Sequence, residues 1–83
     1  MAALTFRQVA EIYTRQAAAY DKLAKARRQI ARDLPQGAGA TETELQAATA
    51  AYDHALRFFH SAESATEQAA TYNQKADEAG EPA

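Results

Sequence analysis

Cysteine and tryptophan are absent from this 83-residue chain, and it has only two prolines and three glycines. Without cysteine there are no disulfides and no thiolate metal sites, and the redox compartment cannot be read. A chain this short removes only about 60% of its unfolded surface from water. Folding alone is therefore marginal, and with nothing to staple the fold, oligomerisation is the expected support. No apolar run approaches the ~20 residues of a membrane span, and the N-terminus lacks the uninterrupted apolar segment of a secretory signal. The expectation is no membrane and a cytoplasmic location. A net charge of −2 gives no overall bias towards nucleic acid or lipid.

Alanine fills much of the space these residues leave. It supplies 23 of the 83 residues, against three lysines and two isoleucines. That bias resembles proteins encoded by GC-rich bacterial or phage genomes. It also suits helices, because alanine loses no side-chain entropy on becoming helical.

The scarce prolines and glycines fall in two clusters, Pro35-Gln36-Gly37-Ala38-Gly39 and Gly80-Glu81-Pro82, and both end a helix. Two start signals complement them. Thr5-Phe6-Arg7-Gln8 and Thr41-Glu42-Thr43-Glu44 fit the capping box, flanked at staple positions by Leu4 and Val9 and by Ala40 and Leu45. The sequence predicts a single all-α hairpin domain over residues 1–83: helix 1 at about 6–33, a loop at 34–41 and helix 2 at about 42–78. No period-2 alternation long enough for a strand occurs.

The apolar spacing is heptad. In helix 1 the seam series runs Phe6, Val9, Tyr13, Gln16, Tyr20, Leu23, Arg27, Ile30, Leu34. In helix 2 it runs Leu45, Ala48, Tyr52, Ala55, Phe59, Ala62, Thr66, Ala69, Asn73, Ala76. Alanine also recurs at every seventh place, at 3, 10, 17, 24 and 31 and at 48, 55, 62, 69 and 76. Such ladders let two antiparallel helices approach near the close end of the ~8–10 Å range. A level loop predicts that residues whose numbers sum to 75 face each other. Phe6, Tyr13, Tyr20 and Arg27 then meet Ala69, Ala62, Ala55 and Ala48, large against small. Val9, Gln16, Leu23 and Ile30 meet Thr66, Phe59, Tyr52 and Leu45. Arg27 and Gln16 are polar residues at seam positions, of the kind that fix register; Arg27 can reach towards Glu44.

Charge divides between the halves. Helix 1 holds seven basic residues against three acidic, and helix 2 holds seven acidic against Arg57 and Lys75. The arrangement favours the hairpin and complements both helix dipoles. An Ala-Ala-Tyr-Asp string recurs at 18–21 and 50–53.

No catalytic, cofactor or metal site is expected. His54 and His60 lie six residues apart, off one helix face, and the paired Glu-x-x-His of di-iron bundles is missing. Gly37-Ala38-Gly39 lacks the strand and further glycines of a phosphate loop. Ser61 and Ser64 have no base and orienting acid at a usable spacing. Two surfaces remain. Ile12, Tyr52, Leu56, Phe58 and Tyr72 form the candidate protein interface: Phe58 falls beside the predicted seam facing Ile12, Leu56 lies on the opposite flank, and two helices cannot cover both. Lys22, Lys25, Arg28 and Arg32 form a basic stripe able to follow a phosphate backbone.

The heptad-alanine architecture resembles that of plasmid-type RNA-binding hairpin dimers, a likeness of architecture that carries no function. The length is similar to that of small helical-hairpin substrates of type VII secretion. Their Trp-x-Gly turn is replaced here by Pro35–Gly39, and their Tyr-x-x-x-Asp/Glu signal is broken by Ala76 four places after Tyr72. Neither family is assigned. The expected function is a non-enzymatic protein-interaction module, a hairpin that dimerises into a four-helix bundle or docks on a protein partner, in the manner of a small phage- or plasmid-type regulator or inhibitor. The alternative is a nucleic-acid-binding hairpin dimer using the basic stripe.

Overall fold

A computed structural model describes residues 3–82. Two helices, α1 (Phe6–Asp33) and α2 (Glu42–Glu78), pack antiparallel as an extended hairpin, with no strand among the described residues. Both capping boxes form. The Thr5 hydroxyl accepts the Gln8 amide at 3.1 Å while the Gln8 side chain accepts the Thr5 amide at 2.9 Å. Thr41 and Glu44 repeat the exchange at 3.1 and 3.0 Å. Two orphan donors at each helix start are thereby satisfied.

At the end of α1, Leu34 is extended (φ −75°, ψ 139°), as the residue before a proline prefers. The Gln36 side chain donates to the Ala31 carbonyl, and the Ala40 amide donates to Gly37 at 2.9 Å. The end of α2 is a Schellman motif. Gly80 adopts φ +73°, its amide reaches the Asp77 carbonyl at 3.1 Å, and the Glu81 amide reaches Ala76 at 2.9 Å. This left-handed turn folds the tail back over the start of α1. There the Glu81 carboxylate accepts the amides of Phe6 and Arg7 at 3.1 and 3.0 Å. The first turn of α1 has no acidic residue of its own, so Glu81 supplies the negative charge that a helix N-terminus favours. Arg7 closes the clasp, donating to Asn73 at 3.1 Å and pairing with Asp77 at 2.8 Å.

The seam differs from the expected one in rotation and in register. Every buried residue among those described is an alanine: Ala10, Ala24 and Ala31 on α1, and Ala48, Ala51, Ala55, Ala65, Ala69 and Ala76 on α2. Three rungs of the α1 alanine ladder, Ala10, Ala24 and Ala31, which lie outside the predicted seam series, therefore form the centre of the packed face. Leu23 and Ile30, expected inside, are each 46% exposed, and Leu45 is 42% exposed. Side-chain pairs across the hairpin have numbers summing to 78 or more, from Phe6–Tyr72 and Tyr20–Phe58 to Arg28–Phe59, rather than to 75. At a sum of 79 the two alanine ladders face each other. The cause of the shift is the loop. Its extended start at Leu34 carries the chain outward before it turns, so α2 begins beyond the end of α1. With 28 and 37 residues, α1 and α2 differ by about 13 Å in length. In that register Phe6 lies level with Asn73 and Asp33 with Gln46, so the extra length of α2 is shared between the two ends.

The result is a rod of 61 × 23 × 14 Å with a radius of gyration of 18.4 Å, against about 12 Å for a compact domain of this length.

Two tests follow from this packing. Ala24→Leu should force the helices apart and cost about 1–3 kcal/mol, whereas Ala18→Leu, on an exposed face, should stay within about 0.5 kcal/mol; urea melts followed by circular dichroism distinguish them, and equal costs would place the seam elsewhere. Hydrogen bonding from the Thr41 backbone, then from its side chain, holds the Glu44 carboxyl below its ordinary value. Its contribution is complete above the unfolded carboxylate range and is lost as pH falls through the lowered value. The Thr41 amide resonance should therefore titrate in acid, and Glu44→Gln, which keeps the cap geometry seen at Gln8, should abolish that titration.

Candidate protein-interaction surface

Aromatic residues line one side of the seam. Tyr20 stacks on Phe58 with centroids 6.2 Å apart, and Tyr13 stacks on Tyr72 at 5.7 Å and 13°. Phe6 meets the same Tyr72 ring at 6.3 Å, and the Lys75 ammonium lies 4.9 Å from its centroid. Two residues of the sequence-derived interface, Phe58 and Tyr72, are thus half-buried partners within the hairpin. Phe58 was expected beside the seam; the rotation of the packed face brings it in. The signal was present, because facing the two alanine ladders puts Phe58 and Tyr72 three residues after Ala55 and Ala69, the step between the two packed positions of a heptad.

On the other side the Arg28 guanidinium lies 5.5 Å from the centroid of Phe59, with the Arg7 clasp further along. Arg28, a member of the predicted basic stripe, is half-buried and engaged in a cation–π contact.

The remaining interface candidates point outward. Ile12 is 41% exposed, Tyr52 40% and Leu56 57%. They belong to longer stripes that the sequence reading missed, since it had placed Leu23, Ile30 and Leu45 in the core. On α1 the stripe runs Ile12, Gln16, Ala19, Leu23, Ala26, Ile30, alternating steps of four and three, and all six are exposed. On α2 it runs Leu45, Thr49, Tyr52, Leu56, Phe59 and then turns polar at Glu63 and Thr66. These are second heptad faces, directed away from the hairpin's own seam. They open on different sides. Gln16 shares a shallow cleft with Tyr13, Tyr20, Ser61, Ser64 and Gln68 on the aromatic side, whereas Phe59 lies under Arg28 on the other. Exposed apolar stripes of this kind fit association with a partner.

The basic stripe is partly committed within the chain. Lys25 pairs with Asp21 at 2.9 Å along α1, and Arg28 is held by Phe59, while Lys22 and Arg32 are exposed. His54 and His60 are both exposed, and among the described residues no cluster of three His, Cys, Asp or Glu is placed to hold a metal ion. Among the same residues no helix is long and apolar enough to cross a membrane. Comparison with known proteins matched no family model, no curated protein and no solved structure, so the surface is read from its own chemistry.

Phe58→Glu should now damage the hairpin itself, lowering its melting temperature by placing a carboxylate against Tyr20. Leu56→Glu, more than half in water already, should leave the melting of the isolated hairpin nearly unchanged. Thermal melts of both at low protein concentration check this, and a stable Phe58→Glu hairpin would contradict the observed seam.

Proposed function

We propose that the chain is a non-enzymatic protein-interaction module, a rigid helical hairpin whose outward apolar stripes are covered by helices of another protein chain. A regulator or inhibitor that acts by occupying a protein surface is the role such a module serves. The observation that supports this reading is the amount of surface left open. The chain exposes 6027 Å², whereas a compact monomer of 9.0 kDa exposes about 4,900 Å². The excess, on the order of 1,100 Å², is comparable to the ~800 Å² that one partner contributes to a standard interface. Its composition matters as much as its size. Burying one large apolar side chain is worth about 1.5–3 kcal/mol, and Ile12, Leu23, Ile30, Leu45, Tyr52 and Leu56 all remain 40% or more exposed.

The nucleic-acid alternative draws less support, because Lys25 and Arg28 already have partners within the chain. Sedimentation at micromolar concentration and fluorescence polarisation with a labelled RNA hairpin and a labelled DNA duplex separate the two readings. The expected result is assembly larger than one chain, unchanged when Lys22 and Arg32 are both replaced by alanine, with no nucleic-acid binding at physiological salt. A monomer that binds either probe with a steep salt dependence, lost in the double variant, would overturn the interaction-module reading in favour of nucleic acid.

A further inference from the structure

Taking the chain to be an interaction module, we infer that a second copy of this chain covers the α1 stripe, its α1 lying antiparallel to the first about a two-fold axis at position 21. The stripe is complementary to itself. Residues whose numbers sum to 42 oppose one another across such an axis, so Ala19 meets Leu23 of the second copy, Gln16 meets Ala26, and Ile12 meets Ile30. Large faces small in two of these three layers, as interdigitated packing requires, and each contact occurs twice by symmetry. From Ile12 to Ile30 the stripe is about 27 Å long, and all six of its residues are exposed. The surplus surface of the whole rod, on the order of 1,100 Å², is larger than the ~800 Å² that one half of a standard interface buries.

The other candidate within a second copy is its α2 stripe, which charge would favour. It is apolar from Leu45 to Phe59, about 21 Å, and there Phe59 is half-buried under Arg28; beyond it the face presents Glu63 and Thr66, so it falls short of the α1 stripe. The α1–α1 pairing carries an electrostatic signature of its own. α1 has seven basic residues against three acidic, and Lys22, one place before Leu23, approaches its own copy near the axis. Like charges therefore oppose this dimer, and salt screens them. Association through α1 should tighten as salt rises, whereas pairing of basic α1 with acidic α2, or binding to nucleic acid, should weaken.

The chain has no cysteine of its own, so the test uses two single-cysteine full-length variants, Gln16→Cys and Ala26→Cys, mixed and oxidised under native conditions. In the inferred dimer, position 16 faces position 26 of the second copy. Identical positions lie ten residues apart along the axis, about 15 Å, beyond the ~7 Å limit for a disulfide. The expected result is a several-fold excess of the mixed disulfide over both homodimers. Sedimentation should also show a dimer that strengthens from low to high salt and dissociates in Leu23→Glu with helicity retained. Homodisulfides equal to or above the mixed species would overturn the inference, as would a dimer that weakens with salt. A dimer that survives Leu23→Glu but is lost in Leu56→Glu would also overturn it, while leaving the interaction-module reading in place through the α2 stripe. A monomer at about 100 μM would overturn it too, and the interaction-module reading would then be decided separately by the nucleic-acid probes.

Discussion

Two helix backbones can run side by side at close range only where nothing larger than a methyl group lies between them, and this hairpin meets that condition along its length. Its buried side chains, from Ala10 and Ala24 to Ala69 and Ala76, are methyl groups throughout the described residues. Close packing of this kind is intolerant of enlargement and sets the register tightly, because the two ladders coincide in one alignment and miss in the next. It also contributes little per residue, about 0.8 kcal/mol for a buried methyl-sized group against 1.5–3 kcal/mol for a leucine. A methyl seam leaves no room for the large apolar residues, so they sit on the flanks or outside. The aromatic stacks of Tyr13, Tyr20, Phe58 and Tyr72 are the flank solution, and Leu23, Ile30, Leu45 and Leu56 are the residues that found no place.

The ends compensate for that thin interior. At the open end the left-handed Gly80 turns the tail so that Glu81 caps α1 from outside, while Arg7 ties α1 to Asn73 and Asp77. Ion pairs on exposed side chains are worth little individually. Here the carboxylate also satisfies two backbone donors that would otherwise be orphaned, which gives the clasp a structural role beyond its charge. The loop end has no such clasp. Four of the most apolar exposed residues, Ile30, Leu45, Tyr52 and Leu56, lie in that half. The rod is thus fastened at one end and open for association along the other.

Much of this was legible in order of locality. Capping boxes at Thr5 and Thr41, the break at Pro35 and the stop at Gly80 act within four residues, and each does what its local chemistry dictates. The heptad ladders were equally visible. The α1 ladder signalled close approach, but the seam series was centred on the bulky residues beside it, on the usual assumption that the largest apolar residues are innermost. That choice moved Phe58 to the surface and Leu23 and Ile30 to the core, the reverse of what the packing allows. The tail clasp was hidden for another reason: Arg7 and Glu81 are 74 positions apart, and no local pattern links them.

Helix content, helix ends and the two ladders followed from the sequence by itself, because propensity, capping and periodicity are properties of neighbouring residues. Rotation about each helix axis and axial register were decided only in the tertiary structure. An extended Leu34 sets where α2 begins, and the packing of alanine against alanine sets which faces meet. Those two choices, separated by about one residue in rotation and one turn in register, determine which leucines and isoleucines are left in water, and so which surfaces this chain has to offer a partner.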